Sequence, residues 1–163
     1  MKKILGILFL VMLIAAACSK KTFELQSATS KHFGGGTILS GTGTVYTFEL
    51  KAFNSWEKLK VDSVYVGNRC FTDISMYTKG SPPGTRAYFE KGDLLVISVT
   101  HSKRPLTTRD HPPKIIDGEF KENGIPSTRS LNGAKALIIV SMKNKFFEIP
   151  VPNFTILKPE MRP

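Results

Sequence analysis

Residues 94–100, LLVISVT, are the stretch on which the reading of the fold turns. A run of seven residues, five of them apolar and four β-branched, follows the turn Lys91-Gly92-Asp93, too short for a buried helix and too apolar for a half-exposed strand. They predict a central strand covered on both faces. Residues 134–142, AKALIIVSM, read the same way, and beyond the turn Lys143-Asn144 residues 145–149 supply a hairpin partner.

Working outward, residues 60–66 alternate Val61, Ser63 and Tyr65 against Asp62, Val64 and Val66, and Gly67-Asn68 reverses the chain tightly into a strand over 69–77. Residues 45–51, VYTFELK, are rich in β-branched and aromatic side chains within the strand-like run 37–53, bent near 40–43. Shorter strands are expected at 23–28, 85–90, 115–120 and 154–157, with Pro150 and Pro152 interrupting the ladder ahead of the last. The Gly34-Gly35-Gly36 stretch reads as a loop or bulge, and 79–84, with two prolines and two glycines, as a surface loop. Residues 53–59, which hold the single tryptophan, read as a polar connection. Residues 101–113, polar and carrying Pro105, Pro112 and Pro113, read as a long mobile connection, and 121–133 as irregular.

Beyond the first 17 residues, no window of a dozen residues shows apolar positions at helical spacing with caps, so helix content should be low. About eight to ten short strands at close spacing are the pattern of an all-β protein built as an antiparallel β-sandwich. An immunoglobulin-like sandwich is the expected form, with a small closed β-barrel as the alternative.

Residues 1–18, MKKILGILFLVMLIAAAC, set the protein's address. Lys2 and Lys3 form a positive start, residues 4–14 an apolar core, and Ala15 to Ala17 the small residues before a cleavage point. The run is shorter than the roughly 20 residues a membrane-spanning helix needs. It therefore reads as an export signal over 1–17, followed by a tether over 18–22 and one domain over 23–163.

Ile14-Ala15-Ala16-Ala17-Cys18 resembles the lipobox of bacterial lipoproteins, with Ala15 where leucine is usual. The resemblance implies that Cys18 is diacylated through its sulfur, palmitate-like, and becomes the first residue of the mature chain, and that the membrane is the first partner. Two or more acyl chains anchor durably where a single chain does not. The leader, the triple glycine, the paired strands LKVDSVYV and RCFTDISMY and the apolar ALIIV look like small uncharacterised lipoproteins of Bacteroidetes. Ser19-Lys20-Lys21 lacks the acidic residues associated with surface export there, so the resemblance implies a periplasm-facing position on the inner or outer membrane.

With 23 basic and 13 acidic residues the chain carries +10, spread along its length and densest between Lys103 and Lys114. Such a surface attracts acidic glycan, lipid headgroups or an envelope protein, and export removes nucleic acid from the accessible partners. Spending Cys18 on lipid leaves Cys70 alone, in the apolar setting Arg69-Cys70-Phe71, so no disulfide forms within the mature chain and the thiol reads as inert.

No catalytic constellation is legible. His32, His101 and His111 lack the paired short spacing of zinc ligands, no Gly-x-Ser-x-Gly or Ser-x-x-Lys is present, and the glycine runs lead into strands rather than helices. No cofactor, no metal and no enzyme activity are expected. The expected role is a non-enzymatic binding or structural module, with Lys103, Arg104, Arg109, His111 and Lys114 as its candidate anion- or partner-binding residues. An envelope hydrolase with a non-local site and an accessory subunit of an envelope complex are the rivals. Asp62-Ser63-Val64 is similar to the acceptor at which exported Bacteroidetes proteins are O-glycosylated, which implies modification at Ser63.

Overall fold

The computed structural model describes residues 21–35, 41–56, 59–81, 89–107, 114–142 and 145–162. Eleven strands follow one another: β1 (Phe23–Gly35), β2 (Thr42–Ala52), β3 (Lys60–Val66), β4 (Arg69–Phe71), β5 (Ser75–Thr78), β6 (Leu94–Thr107), β7 (Ile115–Glu122), β8 (Ile125–Pro126), β9 (Ala136–Met142), β10 (Lys145–Val151) and β11 (Thr155–Arg162). They form two sheets. The first runs β11-β1-β2-β6-β5 with β7 also paired to β6, and the second runs β10-β9-β3-β4-β8.

The sheets pack face to face as a sandwich, and no closed barrel forms among the described residues. Every second residue of the central strands points inward, as the two-residue period of a strand requires. Phe48 and Leu50 of β2, Leu95, Ile97 and Val99 of β6, Val64 of β3, and Ile138 and Val140 of β9 are fully or almost fully enclosed. The two apolar runs are covered on their outer faces as well. Val96 is buried opposite Tyr77, and Leu137 opposite Tyr65, whose ring lies 5.1 Å under the Arg129 guanidinium. Arg129 also pairs with Glu148 on β10.

Several expectations are corrected. Residues 101–107 are not a mobile connection but the continuation of β6, paired to β2 as far as Lys103 and to β7 beyond. Pro105 is tolerated because it stands past the end of the β2 ladder, at a register shift against β7. The first two glycines of the triple-glycine run, likewise, do not break β1, which pairs with β2 as far as Gly34. The single strand expected over 69–77 is two strands in different sheets, β4 paired to β3 and β5 to β6. Pro150 does not interrupt β10, an edge strand that needs no N–H on its open side.

The expected antiparallel order has one exception, since β11 lies parallel to β1. Part of the irregular stretch is also strand: β7 runs on to Glu122 and β8 crosses into the second sheet. The strand expected over 85–90 falls mainly outside the described residues, although Phe89 bridges to Trp56.

Candidate functional site

The first sheet is longer than the second. β1, β2 and β6 have 13, 11 and 14 residues, against 7 each for β3, β9 and β10, so one end of the first sheet overhangs. Following the core-facing side outward, Phe48 leads to Tyr46 and Thr44, and Ile97 leads through Val99 to His101 and Lys103. Beyond the core the demand for apolar side chains ends, and this face turns polar. His32, Thr44 and His101 lie in one row across three strands, with His32 Nδ1 at 3.5 Å from Thr44 Oγ1.

Where the overhang meets the β3–β4 hairpin there is a recess of about 250 Å³ lined by Tyr46, Val66, Asn68, Arg69, Phe71 and His101. The Phe71 and His101 rings meet in an edge-on arrangement with centroids 6.0 Å apart. Arg69 closes the wall. Its Nη1 donates to the carbonyls of Asn123 at 3.4 Å and Gly124 at 3.1 Å, and its Nη2 pairs with the Glu122 carboxylate. Lys103 Nζ lies 3.5 Å from Glu122, and His101 Nε2 lies 3.8 Å from it.

This cluster stands where the chain crosses between sheets, from the end of β7 to β8. The Asn123 side chain extends the ladder past its last backbone pair: Oδ1 accepts from the Ser102 N–H at 2.5 Å, and Nδ2 donates to the Thr100 carbonyl. Gly124 then turns the chain with φ +82°, and a Cβ there would meet the Phe71 ring at 2.8 Å. Arg69 ties the second sheet to this crossing.

Desolvation pushes the Glu122 carboxyl upward, but the charge of Arg69, the Lys103 contact and His101 together outweigh it and hold the group below its ordinary 4.5. A carboxyl whose folded value is depressed contributes stability above its unfolded value and loses that contribution as pH falls through the folded one. Stability should therefore fall on acidification below pH about 4.5. Thermal melts across that range should show a shallower decline for Glu122→Gln; identical profiles would remove Glu122 from the acid sensitivity.

The expected binding residues are divided by the fold. Lys103 stands on the inner side of the overhang opposite Thr42, and Arg104, one residue on in a strand, projects from the other face. They cannot grip one small ligand together. Lys114 is exposed just before β7. Arg109, His111 and the lipidation residue Cys18 lie outside the described residues.

Ser63 is half-buried on β3, in register with Ile139 just after an irregularity at Asp62. Cys70 is a half-buried free thiol. Among the described residues no three His, Cys, Asp or Glu side chains gather as metal ligands would, and no helix is long and apolar enough to cross a membrane.

Sequence reasoning missed the Arg69–Glu122 pair, whose members lie 53 residues apart. The available signal was Arg69 directly after the Gly67-Asn68 turn, a position that aims a long cation at whatever flanks the hairpin. No protein-family model, curated protein or solved structure matches this chain.

Proposed function

We propose that this protein is a lipid-anchored component of the bacterial cell envelope, facing the periplasm, that binds an anionic partner rather than catalysing a reaction. The observation that carries the reading is the leader of residues 1–18 ending in Cys18, ahead of a β-sandwich whose overhanging end displays basic side chains. Glu122, paired to the recess residues Arg69 and His101 and to Lys103, is in an arrangement suited to joining sheets. Immunoglobulin-like topology and O-glycosylation at Ser63 belong to the same proposal, and an accessory subunit of an envelope complex stays its rival.

Two measurements test it. Mass spectrometry of the native amino-terminal peptide should find Cys18 acylated, and Cys18→Ser should release the protein from the membrane fraction; an unmodified Cys18 ends the reading. Binding to immobilised polygalacturonate should then weaken with added salt, and Lys103→Ala and Arg104→Ala should differ severalfold in effect, since the two side chains leave opposite faces of β6. Loss from neither substitution would remove this strand from the binding surface.

A second reading has its own observation. The recess brings Arg69 and His101 together beside Tyr46, a convergence of polar groups that a small hydrolytic site also needs. Turnover of ester or glycoside probes that is abolished by His101→Ala, with the melting temperature retained, would favour it.

A further inference from the structure

We infer that the end of the sandwich at which β1 begins is seated on the headgroup layer of the anchoring bilayer, and that the overhang with Lys103 points away from it. The inference rests on the lipid-anchored reading of Cys18 and adds to it a direction.

Reach decides the matter. Cys18 precedes Phe23 by five residues, and at most about 3.6 Å per residue lets them span no more than ~18 Å. β1 has 13 residues and, at about 3.3 Å each, is roughly 40 Å long. Lys103 is in register with Thr42 and through it with Gly34, near the far end of β1. A tether shorter than half the strand holds the near end down.

The near end is stitched into one surface by backbone contacts. The Phe53 N–H donates to the Thr22 carbonyl at 3.1 Å, Gly92 N–H to Ala52 at 2.8 Å, and Lys91 N–H to Ser55 Oγ at 3.2 Å. Trp56 pairs with Phe89 through the backbone at 2.8 Å. Lys21, Lys51 and Lys91 are exposed here, beside half-buried Phe53 and Trp56.

Amines with long apolar stems are side chains that settle between water and hydrocarbon, and Trp56 lies just beneath them, its Nε1 enclosed and its ring packed against the core. Of the described acidic residues at this end, Glu24 lies 4.0 Å from Lys21, Asp93 accepts from the Glu90 N–H at 2.9 Å, and Glu90 itself is exposed. With this end seated, Lys103 and Arg104 meet partners from the aqueous side, an acidic glycan or a protein rather than headgroups of the same bilayer.

Trp56 is the sole tryptophan and reports on this surface directly. The acylated full-length protein is reconstituted into vesicles of phosphatidylethanolamine and phosphatidylglycerol carrying a headgroup nitroxide. Its emission should be quenched about twofold or more, because the tether holds the start of β1 within ~18 Å of the headgroups and Trp56 lies at that end, three residues beyond Phe53, which bonds Thr22. The double variant W56F/R104W, with its reporter at the far end, should be nearly unquenched, and W56F/T107W provides the same readout should R104W fail to fold.

Quenching that is equal at both ends, or stronger at the far end, overturns the inference while leaving the anchor intact. Absence of acyl groups, read separately by mass, instead overturns the anchored reading itself.

Discussion

Replacing Phe48 with alanine is expected to destabilise the protein by about 3–5 kcal/mol, the range for deleting a fully buried aromatic ring. Phe48 has no exposed surface, sits in register between Ala28 and Ile97 on the inner face of the first sheet, and tilts against Phe154 with centroids 5.8 Å apart. Phe154 belongs to the segment between β10 and β11, so the ring also helps hold the link between the two sheets. Neighbouring side chains are themselves anchored in ladders and cannot collapse into the space. At about 2–4 °C per kcal/mol in a domain of this size, the melting temperature should fall by roughly 6–20 °C. Urea unfolding followed by Trp56 fluorescence measures the same loss, and a change under about 1 kcal/mol would mean that the core is not organised around this ring.

Gly43→Ala is the second large effect, and its cause is steric rather than conformational. A Cβ at Gly43 would stand 2.3 Å from the His101 carbonyl oxygen and 2.6 Å from Phe33 Cζ. The carbonyl belongs to β6, paired to β2 through ten consecutive residues, and Phe33 is only 6 % exposed, so neither neighbour can yield cheaply. Overpacking of this kind costs about 1–3 kcal/mol, and two rigid neighbours place this substitution toward the upper end. Gly67 provides the control. Its φ is +57° and nothing lies within 4 Å of a Cβ there, so Gly67→Ala carries only the left-handed penalty of about 1–2 kcal/mol. Chemical denaturation of both variants should rank Gly43→Ala as the more destabilised. It should also disturb the recess, since β2 is pushed from β6 beside His101.

What was legible in the sequence follows from which physical signal each element writes. The strands around Ile97 and Ile138 announce themselves because both of their faces are covered, which demands a continuous apolar run. The β3–β4 hairpin is legible because Gly67 takes a positive φ that few other residues accept. The overhang writes no such signal. Beyond Val99, β6 leaves the core, its side chains need not be apolar, and His101 to Thr107 resembles a loop although both of its edges are hydrogen-bonded in turn.

The switch from β4 to β5 was hidden for a related reason, since local alternation records which face is buried and not which sheet supplies the partner. The polar cluster at Glu122 was hidden by distance along the chain. Its members come from β4, β6 and β7, and only the crossing at Asn123 and Gly124 brings them together.

The parallel pairing of the last strand with the first bears on when this molecule can form. Thr29 is matched with Thr155, so β1 lacks one neighbour until synthesis has passed Thr155. At about 5–20 residues per second that interval is some seconds to tens of seconds, and contacts so distant in sequence are slow to close afterwards. Until those distant residues arrive, β1 is held by β2 alone and keeps its other edge open to whatever strand comes by.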